Sequence, residues 1–432
     1  VRGGAIFFSR STRGNFSTTH FKHNTADENG GGVSVEDNYG DRFQFFNSSF
    51  SFNSANIYGG GLSFTRAMAA VSSCTFANNA AALGGALAMV GQTRKQPVTL
   101  HIFKTKFLAN KANNSRIGRG GGLYVAGNTK LKIKECTEIK ENVALQGGAL
   151  FATDTSQIDI DDTAWSLNSA QNSVSRQNDD GVTGSGGALY LDKSTKVSVR
   201  IGVFDSNIAY WRGGGIYVSK DACDLTFLSG LFFFRNGAFH DALINGEKHQ
   251  ESGVGGGIFW DYSGQNELIL NRNLSFDKNY PYNISTPPVS VEFNQGFPEL
   301  IMEDANHVEL VKSGIAIKNS KNKLISPRLI LKDKYGNHAR LDKLPSHLDK
   351  LGTRCRVRQS AIPINPTRTI SAFQGYVQFD NLHGLGYPGE RGNISFLCTP
   401  GPYECEGQNT SVSCLSSVQA RVEIKPCDPG EE

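Results

Sequence analysis

Hydrophobic and polar residues alternate over short runs throughout the first two-thirds of the chain. Residues 123–125 and 189–191 both read aliphatic, aromatic, aliphatic, and alternate positions of a strand share one face. Glycine-rich segments separate these runs, which is typical of short strands joined by tight turns. The pattern predicts an all-β fold.

A glycine tetrad, Gly-Gly-(Gly or Ala)-aliphatic, occurs nine times. The copies begin at residues 3, 30, 59, 84, 120, 147, 186, 213 and 255, and five of the eight intervals are 25 to 29 residues long. A coil of that length holds about three short strands, and coils stacked at ~4.8 Å pair each strand with its copies above and below. We therefore predict a right-handed parallel β-helix of about nine coils over residues 1–285.

The glycine pair of each tetrad is predicted to form one corner of the coil. Glycine is required where the backbone needs a positive φ or where two backbone segments approach closely. The glycines to which we assign this structural role are Gly60, Gly85, Gly121, Gly148, Gly187, Gly214 and Gly256.

A second motif, an aromatic or aliphatic residue followed three positions later by Asn, alternates with the tetrads. It runs from Phe21 and Asn24 to Phe276 and Asn279. We expect the aromatic side chains to stack in the core. Asn tolerates the left-handed conformation and can hydrogen-bond its equivalents along a stack of coils. The predicted ladder comprises Asn53, Asn79, Asn110, Asn142, Asn168, Asn207 and Asn236.

Variation in coil length is concentrated between the Asn motif and the next glycine pair. The longer connections are residues 113–119, 171–185 and 239–254. Insertions confined to one side of a solenoid commonly form its binding face. We predict that these three loops present the contact surface.

The alternation of the two motifs over residues 1–285 resembles the repeats of chlamydial polymorphic outer-membrane proteins, which are autotransporter adhesins. It is also similar to large extracellular proteins of algae and other protists, in which such repeats precede an Ig-like domain and a Cys-rich module. The sequence Cys-Asp-Pro-Gly-Glu at residues 427–431 resembles the start of that module. The resemblance implies an extracellular protein. Because a solenoid needs a capping unit over its end coil, and Gly3-Gly4 has no capping segment in front of it, we expect further coils or a cap before residue 1.

The last third of the chain loses the glycine repeat. We interpret residues 286–322 as a cap and linker, residues 323–426 as an Ig-like β-sandwich, and residues 427–432 as the start of a Cys-rich module. Cys355 and Cys398 lie on separate predicted strands and can bridge two sheets, whereas Cys405 and Cys414 would close a short excursion. In the repeats, Cys74, Cys136 and Cys223 are predicted to be free thiols.

Composition and charge exclude several classes of function. The net charge is +4, and the Lys and Arg residues are scattered, so we expect no nucleic-acid partner. No run of 18 apolar residues occurs, so we expect no direct membrane insertion within this chain. No motif indicates a cofactor.

Seven Asn-x-Ser/Thr sequons indicate a secreted or cell-surface glycoprotein carrying N-linked glycans. Their acceptor residues are Asn15, Asn47, Asn113, Asn273, Asn283, Asn393 and Asn409.

A carbohydrate-active enzyme is the main alternative, because parallel β-helices also host polysaccharide hydrolases and lyases. Such a site needs a carboxylate pair. The candidates are Asp159, Asp161, Asp162, Asp179, Asp180, Asp192, Asp205 and Asp261. They do not recur at equivalent positions of the coils, which favours solvated strand faces and loops.

Two further alternatives involve binding. A carbohydrate-binding receptor ectodomain would need exposed aromatic side chains in a groove, and the candidates are Tyr210, Trp211, Trp260 and Tyr262. A metal site is the other alternative, because His and carboxylate side chains are metal ligands. One insertion contains His240, Asp241, Glu247, His249 and Glu251. Two further histidines, His20 and His23, flank Phe21. The spacing of these residues is irregular, which favours a solvated loop and no bound metal.

The sequence therefore predicts a non-enzymatic, structural or adhesive extracellular rod. Its partners would be other extracellular proteins or copies of itself in a surface or filament assembly.

Overall fold

The structure is a computed structural model of the 432-residue chain. It describes residues 2–10, 13–92, 97–114, 116–135, 138–154, 157–171, 184–193, 196–219, 222, 225–244, 247–261, 267–270, 273–285, 288–293, 310–311, 314–318, 328–333, 354–358, 364–365, 369–371, 376–379, 383–384, 391–399 and 418–425. Only the backbone is described at 38–42, 225–227, 240–252 and 267–270 and over most of the chain after 285. The chain divides into two compact units, Val1–Ser285 and Thr286–Glu432.

The first unit is a parallel β-solenoid, and all described elements of the chain are strands or turns. Its nine glycine corners bound about eight full turns, in agreement with the predicted parallel β-helix. Each turn contains four short strand positions, which form four stacks along the axis of the solenoid.

The first stack begins after each glycine corner. Its strands are Ile6–Ser9, Val33–Phe46, Leu62–Ser72, Leu87–Val90, Leu123–Ala126, Leu150–Thr153, Leu189–Leu191, Ile216–Val218, Ile258–Trp260 and Ile284–Ser285. The second stack contains Asn15–Ser17, the later parts of Val33–Phe46 and Leu62–Ser72, Val98–Phe103, Thr129–Lys134, Gln157–Ser166, Lys196–Asp205, Leu225–Phe234 and Glu267–Leu270.

The third stack carries the Asn motif. It comprises His20–Lys22, Ser49–Ser51, Thr75–Ala77, Lys106–Leu108, Glu138–Lys140, the later parts of Gln157–Ser166, Lys196–Asp205 and Leu225–Phe234, and Ser275–Asp277. The fourth stack comprises Thr25–Ala26, Ser54–Ala55, Ala80–Ala81, Lys111–Ala112, Val143–Ala144, Ser169–Ala170, Ile208–Ala209, Gly237–Ile244 and Glu247–Ser252. Neighbouring coils pair in parallel in all four stacks.

Left-handed residues turn the chain at most of the corners that the structure describes. The first glycine of each tetrad has a positive φ, for example 64° at Gly120, and non-glycine residues such as Lys104 and Ala109 turn the chain at two later corners. Each non-glycine αL residue costs about 1–2 kcal/mol. The cost is tolerated because the flanking strands are held on both sides by neighbouring coils.

The hydrophobic core lies inside the coil. Alternate residues of the second-stack strands point inward, as in Thr129–Lys134, where Leu131 and Ile133 are fully buried and Lys132 is not. The aromatic residues of the Asn motif stack as predicted. Phe50, Phe76 and Phe107 have ring centroids 4.6 and 5.0 Å apart.

The described residues of the second unit form three sheets. A three-stranded sheet pairs Pro288–Phe293, Arg328–Asp333 and Tyr376–Gln378, and Ile364–Asn365 pairs with His383–Gly384. A six-stranded sheet has the order Leu310–Val311, Gly314–Lys318, Val418–Lys425, Arg391–Thr399, Arg354–Arg358, Thr369–Ser371. An Ig-like topology for this unit stays a prediction, as does the Cys-rich module, which lies outside the described residues.

Two strands from the segment interpreted as cap and linker pair with later strands of the second unit. Pro288–Phe293 pairs with Arg328–Asp333, and Gly314–Lys318 pairs with Val418–Lys425. The assignment of residues 286–322 as a cap and linker stays a prediction. Cys355 and Cys398 form a disulfide, but they lie directly opposite each other on neighbouring strands of one sheet. The expectation that this disulfide joins two sheets was therefore wrong, because sequence does not reveal which strands are neighbours.

Candidate functional site

The predicted Asn ladder runs along the corner between the third and fourth stacks. In each coil the backbone N–H and the Nδ2 group of Asn donate to Oδ1 of the Asn in the next coil. For Asn79 and Asn110 both donor–acceptor distances are 3.0 Å. Asn79 Nδ2 also donates to the carbonyl oxygen of Phe50 in the preceding coil, at 2.9 Å. One buried amide thus ties three coils together, and the pattern continues from Asn24 to Asn279.

The sequence suggested that the Asn is the left-handed residue of this corner, but the structure places that conformation elsewhere. The left-handed residue is the one immediately before the Asn, with φ of 55° at Asn78, 51° at Ala109 and 60° at Glu141. The Asn side chain must point into the coil to reach its neighbours, which leaves the outward residue to make the turn. Charged and apolar residues occupy that position, so its conformation leaves no mark in the sequence.

The glycine corner combines a positive φ with a close approach between backbones. The first glycine of each tetrad is left-handed, whereas the second has no positive φ but faces backbone of the next coil. A Cβ on Gly121 would clash with the carbonyl oxygen of Gly148 and the backbone nitrogen of Val143. The structural role predicted for the glycine pair thus has two parts. The first glycine supplies the positive φ, and the second leaves room for the backbone of the next coil.

A second ladder, which the sequence analysis missed, lines the corner between the second and third stacks. Ser48 Oγ donates to the carbonyl oxygen of Phe46 at 2.9 Å and accepts from the backbone N–H of Thr19 at 3.1 Å. Thr105 Oγ1 and the Cys74 thiol donate across their corners in the same way. The signal was a Ser, Thr or Cys two residues before the aromatic of the Asn motif.

This ladder explains Cys74. The residue is a buried free thiol, as predicted, and burial raises its pKa above the ordinary value. It occupies a hydroxyl position of the ladder, so its chemistry is that of a weak donor in the core. Cys136, Cys223, Cys405, Cys414 and Cys427 lie outside the described residues.

A column of stacked aromatic rings, which the sequence analysis also missed, covers the outer face of the first stack in the later coils. Tyr124, Phe151, Tyr190, Tyr217 and Phe259 are all buried and stack with ring centroids 4.5 to 5.8 Å apart. The guanidinium groups of two corner residues close it from outside: Arg119 lies over Phe151 and Arg212 over Phe259.

The phenols of this column are buried beside carboxylates. Burial raises the pKa of Tyr124 to about 12. Burial and then the Asp192 carboxylate raise the pKa of Tyr190, and burial and then Asp261 raise that of Tyr217. The Tyr217 hydroxyl donates to Asp261 Oδ2 at 3.1 Å, and the Thr153 hydroxyl donates to Asp192 Oδ2 at 3.1 Å.

The other candidate carboxylates lie on outer strand faces. Asp159 and Asp161 alternate with buried isoleucines on Gln157–Ser166, and Asp162 is an exposed left-handed corner residue. Asp159 pairs with Arg200 at 3.1 Å, and Asp205 pairs with Arg235 at 3.0 Å. Asp179 and Asp180 lie outside the described residues.

The aromatic residues proposed for sugar binding are not presented as an open platform. Trp260 is buried as the last residue of Ile258–Trp260. Tyr210 and Trp211 are half-buried and pack edge to face, with centroids 5.0 Å apart. Tyr262 lies outside the described residues.

The histidines are placed in different parts of the solenoid. His20 Nδ1 lies 2.7 Å from Ser49 Oγ, and the His23 ring stacks on Phe52. His240 and His249 lie on an antiparallel hairpin formed by Gly237–Ile244 and Glu247–Ser252, where His240 is opposite Glu251. Within the described residues no group of three or more His, Cys, Asp or Glu is arranged to hold a metal ion.

That hairpin corrects the third predicted insertion loop, because residues 239–244 pair with residues 247–252 as antiparallel strands. In the first loop, Asn114 Oδ1 accepts from the backbone N–H groups of Arg116 and Ile117, forming a compact turn. Residues 172–183 of the second loop lie outside the described residues. All three insertions connect the fourth stack to the glycine corner.

Five sequon asparagines fall within the described residues, and all five are exposed. They are Asn15, Asn47, Asn113, Asn273 and Asn283. Asn283 Oδ1 accepts from Asn279 Nδ2 at 3.2 Å, at the end of the Asn ladder. The Asn393 side chain and Asn409 lie outside the described part.

No family model matches this chain, and it has no match among curated proteins or solved structures. Among the described residues, no helix is long and apolar enough to cross a bilayer.

Proposed function

We propose that this chain is a non-enzymatic extracellular structural or adhesive protein. It acts as an N-glycosylated β-helical rod in a cell-surface or filament assembly, and its insertions make the contacts. The observation that carries this proposal is the division of labour in the coils. The recurrent Gly, Asn, Ser, Thr and aromatic residues are used in ladders and corners, which leaves the insertions free to vary.

Two observations support an extracellular location. The Cys355–Cys398 disulfide is stable in an oxidising compartment. The five described sequon asparagines are exposed, as glycan acceptors must be. The similarity of the repeats to large extracellular proteins of algae and protists, and to chlamydial adhesins, favours the same location.

The carboxylates favour a structural role over a hydrolytic one. Asp159 and Asp205 are neutralised by Arg200 and Arg235, and Asp261 accepts a hydrogen bond from a buried phenol. A glycosidase needs a second carboxyl group across the scissile bond, at about 5 to 10 Å. Ion-paired side chains on a strand face serve better as cross-strand contacts.

The test is to shorten the insertions without disturbing the coils. Residues 171–185 are replaced by the Leu-Gln dipeptide that links Ala144 to Gly147, and residues 239–252 are removed so that Ala238 joins Gly253. Secreted full-length protein is then assayed for binding to its source cells and for assembly by sedimentation. We expect loss of binding or assembly with unchanged thermal unfolding.

The matched control replaces residues 171–185 by fifteen Gly and Ser residues, which keeps the length and removes the sequence. Unchanged cell binding and assembly in both shortened variants would refute the role of the insertions. Depolymerisation of a polysaccharide by the wild type, lost in the Asp161→Asn, Asp162→Asn variant, would establish the enzymatic alternative instead.

A further inference from the structure

The outer face of the second stack carries a regular grid of side chains in four successive coils. The strands are Val98–Phe103, Thr129–Lys134, Gln157–Ser166 and Lys196–Asp205, and each contributes three outward positions. The rows across the coils are Thr99, Lys130, Gln157, Lys196; then His101, Lys132, Asp159, Ser198; then Phe103, Lys134, Asp161, Arg200.

A basic strand and an acidic strand form the centre of this grid. Lys132 is in register with Asp159, and Lys134 is in register with Asp161. Within the part of the chain that the structure describes, no ion pair involves Lys130, Lys132, Lys134 or Asp161. The central charges are therefore available to a partner, apart from Asp159, which Arg200 contacts at 3.1 Å.

A twofold axis lying along the strand direction, between these two strands, makes the grid complementary to itself. This rotation reverses the solenoid axis and keeps each position along the strand. It places Lys132 of one copy over Asp159 of the other, and Lys134 over Asp161, so four opposite-charge contacts form. The same rotation places Phe103 over Arg200 of the second copy, an arrangement that suits a cation–π contact.

The dimensions of the grid fit a weak contact. Three outward positions span about 20 Å along the strand and four coils about 20 Å across, at ~6.6 Å and ~4.8 Å per step. Two such faces bury roughly 800 Å² in total, which is the size of a transient interface. Asn113 is the only sequon acceptor between residues 48 and 272, and it lies outside the four strands of the grid, so an N-glycan on this chain would not be attached within the grid.

We infer that two copies of this chain pair face to face and antiparallel through this grid. A polyanion is a poorer occupant of the same face, because the acidic strand lies only about 4.8 Å from the basic one. The inference rests on the proposed rod function and specifies one of its partners as a second copy. The contact would be salt-sensitive, since exposed ion pairs are screened.

Charge reversal tests the inference in the full-length protein. The variant Lys132→Glu, Lys134→Glu makes both charge-paired rows of the central face acidic, and the variant Asp159→Lys, Asp161→Lys makes both rows basic. We expect the wild type to dimerise in sedimentation equilibrium at low salt, with a dissociation constant that rises about tenfold or more between 50 and 500 mM NaCl. Each variant alone should be monomeric, and an equimolar mixture should form a heterodimer.

The control variant, Lys106→Glu, Lys140→Glu, makes the same change of charge on the neighbouring third-stack face and should dimerise like the wild type. Thermal unfolding monitored by circular dichroism establishes that all variants are folded. A wild type that stays monomeric at 50 mM NaCl, or a mixture that forms no heterodimer, overturns the inference. Tighter binding of dextran sulfate than of a second copy also overturns it. These outcomes leave the insertion experiment intact, because the insertions lie on a different side of the coil.

Discussion

The inner Asn ladder keeps one residue type along the solenoid, whereas the outer face of the first stack changes residue type from coil to coil. The Asn column keeps one residue type in nine successive coils, and every buried amide has its partners. The corresponding outer column has Phe7, Ser34, Ser63 and Ala88 in the early coils and an unbroken run of aromatic rings from Tyr124 to Phe259. A column in which each residue satisfies the next cannot change in one coil alone, whereas a packing column can.

The inner and outer columns also differ in whether their buried polar groups have hydrogen-bond partners. Ser34 Oγ and Ser63 Oγ are buried on the outer face with no hydrogen-bond partner, whereas the Ser48 hydroxyl inside the corner has two. A buried polar group without a partner lowers stability, and a paired one does not. The inner columns should therefore be intolerant of substitution and the outer column tolerant.

The largest effect is expected at the glycine corner. Gly121→Ala should lower the free energy of unfolding by about 3 to 5 kcal/mol, because its Cβ would meet backbone atoms of the next coil. Gly122→Ala is the matched control, since Ala86 and Ala149 occupy the equivalent position in neighbouring coils. Urea unfolding measures both. Equal midpoints would show that the corner can relax.

Interrupting the Asn ladder should have the next largest effect. Asn110→Ala removes the acceptor of two donors of Asn79 and the donor to Phe76 O, at about 2 to 4 kcal/mol. Asn114→Ala, in an exposed turn, should cost less than about 1 kcal/mol. Hydrogen exchange should also accelerate in the coils on both sides of Asn110. Protection unchanged beyond one coil would contradict a continuous ladder.

The buried phenols predict a loss of stability at alkaline pH. The pKa values of Tyr124, Tyr190 and Tyr217 are raised in the folded state, so the unfolded chain releases these protons first. Stability is intact below the ordinary tyrosine pKa of about 10 and falls above it, by up to ~1.4 kcal/mol per pH unit for each phenol. Urea midpoints between pH 8 and 11 measure the slope.

The variant Tyr190→Phe should reduce that slope, and its side chain fits because Phe151 and Phe259 occupy the same column. A slope that is the same in the variant and the wild type would mean that Tyr190 ionises equally in both states.

The smallest changes in stability are expected at two serines, one on the outer face and one inside a corner. Ser63→Ala should be neutral or stabilising by up to about 1 kcal/mol, because it removes a buried hydroxyl without a partner and Ala88 fills the next position. Ser48→Ala should be destabilising by about 1 kcal/mol, because it removes two hydrogen bonds. Thermal unfolding compares them directly, and the reverse order would refute the contrast between inner and outer columns.

The sequence by itself determined the solenoid. A parallel stack places equivalent residues of successive coils in contact, so the columns that hold it together appear as repeats. The glycine corner, the aromatic stack and the ladder from Asn24 to Asn279 could all be predicted for that reason. The Ser, Thr and Cys ladder left a signal of the same kind in the first six repeats, two residues before the aromatic or aliphatic residue of the Asn motif. In the last three repeats that position holds Gly202, Leu231 and Leu274.

Tertiary structure alone decided the features that do not repeat. The left-handed position fell on the residue before each Asn, because the corner selects a conformation and not a side chain. Residues 239–244 paired with 247–252 as a hairpin, and Cys355 met Cys398 within one sheet, because those pairings depend on which strands are neighbours. The juxtaposition of Lys132 with Asp159 likewise depends on the register between coils of unequal length. Coil spacing in the sequence constrains that register, but only hydrogen bonding between coils fixes it.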